Sequence, residues 1–186
     1  MVADWIGAGG ECGRARRRRV VFCSTAGMQE KEEVMNLGLQ LKYLWHDVDV
    51  FEIEAVASNG KFSGASDAYV SIGGLAEAAE TVKGFPRDLS DVREFEFGAF
   101  GRESAGGAVH VRFSCMDGAG HAVVELRFES EYERNAGSDW NRPAETANFF
   151  GKVEASAVDD FVAELRLLEE NKSGVASLRF ADLPTC

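Results

Sequence analysis

The sequence predicts an α+β domain in which a single curved antiparallel sheet of six to seven strands carries two helices packed on one face. Three observations predict this class. Several segments alternate apolar and polar residues with a period of two, which is typical of half-buried strands. Tight turns join most of these segments, as in antiparallel rather than parallel sheets. Two other segments place apolar residues at helical spacing.

The first three strands are expected at the start of the domain. Apolar residues alternate from Leu37 to Tyr43, and the sequence Trp45-His46-Asp47 ends this pattern. Residues 48–57 are predicted to form a second strand. Its apolar residues do not all fall on one face, and a bulge near Val50 would bring them onto the same face. Asn59-Gly60 predicts a type I′ hairpin turn into a third strand over residues 61–72.

The remaining elements follow in order. A helix is predicted to start at Gly73-Gly74 and to end near Gly84, because Pro86 prevents its continuation. Strands are predicted over 92–98, 109–115, 122–129 and 145–153, with a long loop over 131–144. Ser156 and Asp159 resemble a capping box at the start of a second helix. The apolar stripe of that helix consists of Val158, Phe161, Val162, Leu165 and Leu168.

Composition excludes several classes of protein. At 45% hydrophobic residues the chain of 186 residues is too apolar to be disordered throughout. No run approaches the ~20 apolar residues of a membrane span. Thirty-one acidic against 20 basic residues give a net charge of −11, which argues against nucleic-acid binding. None of the four cysteines has metal or redox spacing, so a cytoplasmic location is expected.

The domain organisation follows from where the regular pattern begins and ends. Residues 1–34 hold six basic and five acidic residues, including the block Arg14–Arg19, and show no period. We expect them to be a disordered basic leader or the product of a mis-assigned start, with Met35 the best-fitting start. A single domain then spans 35–171, and residues 172–186 form a C-terminal tail.

Few residues point to chemistry. A possible polar cluster consists of His46, Asp47, Asp49 and His121, in which a histidine base could be oriented by a carboxylate. The alternative is that these residues belong to solvated strand faces and turns. No catalytic residue, metal site or cofactor is assigned, because no phosphate-binding loop, nucleophile elbow or metal spacing is present.

The predicted loop over 131–144 offers candidates for partner binding. Tyr132 and Trp140 are plausible anchors, with Asp139 beside them, because aromatic residues dominate the energetics of protein interfaces. The alternative is that both aromatic side chains fold back onto the sheet. Without the leader the chain has a net charge of −12, which favours association with basic partners.

From about Trp45 to Leu168 the chain resembles a group of small bacterial proteins without an established activity. The likeness rests on Trp45-His46-Asp47-Val48-Asp49, Phe85-Pro86, Arg112-Phe113 with Cys115 and Asp117, Gly120-His121, and Val158-Asp159-Phe161. In size and layout such domains resemble immunity proteins encoded beside secreted toxins. The resemblance implies a protein-binding role and transfers no catalytic residue.

Two functions therefore stay open at the level of sequence. The first is an acidic, non-enzymatic binding module of the immunity type that binds a basic protein partner. The alternative is a small-molecule-binding protein or minor hydrolase with a pocket between sheet and helices.

Overall fold

The structure is a computed structural model that describes residues 37–101, 105–119, 121–131 and 144–181. Within them lie eight strands and two helices, so the predicted α+β class with antiparallel pairing is confirmed. The elements are β1 (Gly38–His46), β2 (Val50–Ser58), β3 (Ser63–Ser71), α1 (Gly74–Val82), β4 (Val92–Gly98), β5 (Ala108–Cys115), β6 (His121–Glu129), β7 (Thr146–Glu154), α2 (Ala155–Asn171) and β8 (Val175–Arg179).

The prediction of one sheet of six to seven strands is wrong. The strands form two four-stranded sheets, a first sheet in the order β3-β2-β1-β8 and a second sheet in the order β4-β5-β6-β7. The helix α1 carries the chain from the first sheet to the second, and α2 carries it back to β8. A period of two shows that a strand has one buried face, but it does not show which strands pair.

One hydrophobic core lies among the two sheets and the helices. Each sheet buries one face, with Phe51 and Ile53 from the first sheet and Phe113 and Leu126 from the second fully buried. The helix stripe around Phe161 completes the same core. The predicted positions of both helices agree with the structure to within a few residues.

The first strand differs from its predicted form. It continues through Trp45 to His46, and the irregularity in its pairing with β2 lies between Tyr43 and Trp45. The predicted bulge near Val50 is therefore misplaced. In β2 the odd-numbered residues from Phe51 to Ala57 are buried, so the even-numbered residues point away from the core.

The turn between β2 and β3 is also not of the predicted type I′. Asn59 to Phe62 form a four-residue connection, in which Gly60 has a φ of +82° and Asn59 lies outside the left-handed region. The Asn59 side chain instead accepts hydrogen bonds from the N–H groups of Lys61 and Phe62, at 3.0 and 2.9 Å.

The predicted capping box at Ser156 is not formed. β7 runs directly into α2, so Glu154 occupies the N-cap position and makes no side-chain capping bond. Ser156 lies within the first turn of the helix. Part of the predicted tail, 175–179, is β8, which pairs with β1 from Gly38↔Arg179 to Lys42↔Val175. The predicted leader, residues 1–34, lies outside the described residues.

Candidate functional site

His46 and Asp47 stabilise the end of the first hairpin. The Tyr43 hydroxyl lies 2.6 Å from His46 Nδ1, and the His46 ring lies 6.0 Å from that of Phe51. The Asp47 carboxylate accepts the N–H groups of Asp49 and Val50, at 2.8 and 2.9 Å. These two hydrogen bonds lower the pKa of Asp47. The contacts account for both side chains as parts of the turn between β1 and β2.

His121 lies on the second sheet and has different partners. Its Nδ1 is 2.6 Å from Asp117 Oδ2, and its Nε2 is 3.8 Å from Glu154 Oε1. The hydrogen bond to Asp117, and then the negative charges of Asp117 and Glu154, raise the pKa of His121. Within the described part of the chain no hydrogen bond or ion pair joins His121 to His46, which lies on the first sheet.

The three candidates for partner binding, Tyr132, Asp139 and Trp140, lie outside the described residues. The residue at the start of the predicted loop, Glu131, is described and is exposed. Its charge contributes to raising the pKa values of Asp67 and Tyr69 on β3. The beginning of the loop therefore lies within electrostatic reach of the first sheet.

The outer face of the first sheet gathers carboxylates and aromatic rings. We define the acidic surface by Trp45, Glu52, Glu54, Asp67 and Tyr69 of this face, together with Glu131, which follows β6 and acts on Asp67 and Tyr69 through its charge. Two rows of paired residues run across β1, β2 and β3. In the first row Glu52 of β2 lies between Trp45 of β1 and Tyr69 of β3, and in the second row Glu54 of β2 lies between Lys42 of β1 and Asp67 of β3. Four carboxylates and the single cation of Lys42 give these rows and Glu131 a net charge of −3.

The irregularity in β1 places Trp45 in this surface. The side chains of β1 that face the core are those of Leu39, Leu41 and Tyr43. If this alternation continued without an extra residue, the Trp45 side chain would face the core as well. The shift at Leu44 sets Trp45 opposite Glu52 and His46 opposite Phe51. The Trp45 ring then meets the Tyr69 ring edge-on at 6.3 Å, and the two residues stay 42% and 37% exposed.

The carboxylates of the acidic surface repel one another. Partial burial raises the pKa of Asp67, and the charges of Glu54 and Glu131 raise it further. The charge of Glu52 is the main cause of a raised pKa at Tyr69. Lys42 pairs with Glu54 at 3.4 Å across exposed surface, an arrangement that contributes little to stability. The surface thus holds negative charge that the described residues leave largely uncompensated.

A polar cavity of about 420 Å³ adjoins the acidic surface at Tyr69. It lies between β3, α1 and β4, and its charged lining residues are Glu77, Glu94 and Glu96. Its lining includes none of His46, Asp47, Asp49 and His121.

Sequence reasoning did not nominate Trp45, Asp67 or Tyr69. A signal was present in β2, where Glu52 and Glu54 alternate with buried residues and therefore mark a polar face. The positions of the other members depend on strand register. Pairing across three strands cannot be obtained from the periodicity of each strand alone.

The described residues contain no group of three His, Cys, Asp or Glu side chains that could hold a metal ion. Neither of the two described helices has the length and apolar character needed to cross a membrane. No family model, curated protein or solved structure matches the chain.

Proposed function

We propose that this protein is a non-enzymatic binding module of the immunity type, which binds a basic protein partner through the acidic surface. The supporting observation is the row Trp45–Glu52–Tyr69, where two exposed rings flank a carboxylate on the outer face of the first sheet. Aromatic side chains supply contact area at interfaces, and uncompensated carboxylates steer and orient a basic partner.

The predicted loop over 131–144 extends the proposed interface. Glu131 lies within electrostatic reach of Asp67 and Tyr69, so the loop starts beside the acidic surface. In the proposal Tyr132 and Trp140 act as additional anchors, with Asp139 adding charge. Lysine and arginine side chains of the partner would pair with Glu52, Glu54 and Asp67, and their apolar stems would pack on the two rings.

The alternative, small-molecule binding or hydrolysis, has less support. The cavity beside α1 is lined by carboxylates and by neither histidine nor cysteine. His46 and His121 are each engaged in local contacts on separate sheets. A hydrolytic reaction requires a base within hydrogen-bond reach of the bound substrate. The described geometry favours a protein interface over such a reaction.

The experiment is affinity capture from an extract of the source cells with three versions of the full chain. The first is native, and the second carries Glu52→Gln, Glu54→Gln and Asp67→Asn. The third, a control with the same change in net charge, carries Asp159→Asn, Asp160→Asn and Glu170→Gln, all exposed positions of α2. We expect the native and control chains to retain the same basic protein at about 0.1 M salt, and the surface variant to lose it.

Salt provides a second readout. Exposed charges are screened over about 8 Å at 0.15 M ionic strength and about 3 Å at 1 M. Capture by the native chain should therefore weaken steeply as salt rises. Equal capture by the native and surface-variant chains, or retention independent of salt, would refute the proposal.

A further inference from the structure

The chain carries a second surface of opposite chemistry, an apolar groove of about 480 Å³. It lies where the β2–β3 turn approaches the edge strand β7 and the end of β8. We call it the apolar groove. It is lined by Leu37, Asn59, Gly60, Lys61, Val123, Phe150, Gly151, Lys152, Phe180 and Ala181.

Contacts between the two sheets build this groove. The Asn59 side chain donates a hydrogen bond to the Phe150 carbonyl at 2.8 Å, and the Ala181 N–H donates to the Lys152 carbonyl at 2.8 Å. Phe180 packs over Gly151, where a Cβ atom would lie 2.5 Å from the ring. Phe150 leaves 57% of its surface exposed beside the groove. The walls are therefore held by both sheets, and the groove retains an exposed aromatic face.

The charged groups that line the groove are positive. Lys61 and Lys152 are both exposed, and neither makes an ion pair within the described residues. No aspartate or glutamate lines the groove. Two carboxylates lie near the lining by register. Glu125, opposite Phe150, accepts a hydrogen bond from Asn148 at 3.4 Å, and Glu154, two residues beyond Lys152 on the same face of β7, lies 3.8 Å from His121 Nε2. Two cations without an acidic neighbour in the lining stand out in a chain of net charge −11.

Three hydrogen-bond acceptors of the groove are already engaged. The backbone carbonyls of Phe150 and Lys152 accept the bonds described above, and the side-chain Oδ1 of Asn59 accepts the N–H groups of Lys61 and Phe62. The ammonium groups of Lys61 and Lys152 have no ion-pair partner among the described residues, and each can donate hydrogen bonds to a ligand. A ligand that fits must bring an acceptor of negative charge together with an apolar body.

We infer that the apolar groove binds a small amphiphile with one anionic head group, such as a medium-chain carboxylate, with Lys61 and Lys152 holding the head and Phe150, Phe180 and Val123 holding the apolar body. The volume falls within the range of about 300–1,000 Å³ of ligand pockets, which are mostly apolar with a few polar groups that orient the ligand. Each ammonium acts as a point charge on a flexible stem and can follow the head group.

The test is calorimetric titration of the full chain with decanoate below its micelle concentration. The ligand controls are decyltrimethylammonium, which joins an alkyl chain of similar length to a cationic head, and acetate, which has the carboxylate head without the long chain. We expect saturable one-to-one binding of decanoate, at least tenfold tighter than that of either control. Lys61→Gln and Lys152→Gln should each weaken decanoate binding by about fivefold to tenfold, whereas Lys83→Gln, at an exposed lysine of the α1 end, should not.

Amide chemical shifts locate the ligand. Decanoate should shift the signals of Gly60, Val123, Gly151 and Ala181. The inference is overturned if decyltrimethylammonium binds as tightly as decanoate, if the shifts lie elsewhere, if the native chain does not bind decanoate, or if Lys83→Gln weakens binding as much as the groove variants. The variant lacking the Glu52, Glu54 and Asp67 charges should bind decanoate like the native chain, which separates this inference from the proposed function.

Discussion

At the scale of single residues, the junction between the two sheets depends on Gly107. Its N–H donates to the Asp67 carbonyl at 2.8 Å, and next to it the Ser66 hydroxyl donates to the Glu129 carbonyl at 2.8 Å. A Cβ atom at Gly107 would overlap the Ser66 hydroxyl and the Glu129 carbonyl oxygen. Ser66 is buried at this junction, and the next residue, Asp67, is exposed in the acidic surface.

We predict that Gly107→Ala lowers the free energy of unfolding by about 1–3 kcal/mol, the usual cost of overpacking a close contact. Urea denaturation of the full chain measures it. Gly118→Ala is the matched control, because a Cβ atom at Gly118 meets nothing within 4 Å. Equal stability of the two variants would show that the sheet junction is not closely packed.

The charge of Asp67 shows whether the acidic surface lowers the free energy of unfolding. Its pKa is raised, so the folded state disfavours its charged form relative to the unfolded state. At pH 7 the ionised side chain therefore opposes folding, and the effect vanishes below the unfolded pKa near about 3.9.

We predict that Asp67→Asn raises the melting temperature at pH 7 by on the order of 1 °C, since surface substitutions change stability by about 0.5 kcal/mol or less. Scanning calorimetry at pH 7 and pH 3 measures it, and the gain should disappear at the lower pH. A lower melting temperature at pH 7 would contradict the account of repulsion. A gain in stability together with loss of partner binding is typical of a functional surface.

At the scale of elements, side chains of α2 hold neighbouring elements in place. Glu169 accepts the N–H groups of Gly73 and Leu75 at 2.8 and 3.1 Å, and so caps the start of α1, where Gly73 has no side chain to do so. Glu164 accepts the Ser177 N–H on β8 at 2.7 Å, which engages a donor on an edge strand.

We predict that Glu169→Ala costs about 0.5–2 kcal/mol of stability, the range for loss of a helix N-cap. The adjacent Glu170→Ala is the control, because Glu170 is exposed and has no partner among the described residues. Thermal denaturation followed by circular dichroism compares them. If Glu170→Ala is as destabilising as Glu169→Ala, the cap contributes nothing specific.

A second tertiary contact links β4 to the end of α1. Arg93 binds the Asp91 carboxylate at 2.6 and 2.8 Å and donates to the Thr81 carbonyl at 2.7 Å. The hydrogen bond from Arg93, together with the N–H of Arg87, lowers the pKa of Asp91. A lowered pKa contributes stability above the unfolded value of about 3.9, and this contribution is lost as the pH falls through the folded value.

We predict that Asp91→Asn destabilises the protein by about 1.5–3 kcal/mol at pH 7, the range for a hydrogen bond to a charged group. The difference from the native chain should shrink as the pH falls below about 4, where the carboxyl of the unfolded chain gains its proton, and should be smallest once the pH is below the lowered pKa of the folded state. Urea denaturation across this pH range measures it, with exposed Asp159→Asn as control. A difference that is constant with pH would contradict the charged contact.

The periodicity of each segment was enough to predict seven of the strands and both helices. An element that buries one face has regularly spaced apolar residues, and this spacing can be seen within the segment alone. The division into two sheets could not be predicted, since it depends on which strands α1 and α2 connect in space. The strand β8 has only Ala176 and Leu178 buried along its five residues, too short an alternation to indicate a strand. The acidic surface could not be predicted without the position of the bulge in β1. This bulge shifts the alternation by one residue and so moves Trp45 to the outer face.

At the scale of the whole molecule, two chemically opposite surfaces lie on a chain of net charge −11. The acidic surface lies on the outer face of the first sheet, and the apolar groove with its two lysines lies where both sheets meet near β7 and β8. Neither includes the polar cluster that sequence reasoning singled out. Separate surfaces allow the two proposals to be tested by variants that do not affect one another.

The most direct test of the central claim is to map where a basic ligand binds. A ¹⁵N-labelled full chain is titrated with an octalysine peptide at about 0.1 M salt, and the amide chemical shifts are followed. We predict shifts concentrated around Trp45, Glu52, Glu54, Asp67 and Tyr69, and their loss in the Glu52→Gln, Glu54→Gln, Asp67→Asn variant. Shifts spread equally over the carboxylates of α2, or unchanged in that variant, would contradict the assignment of the acidic surface as the interface.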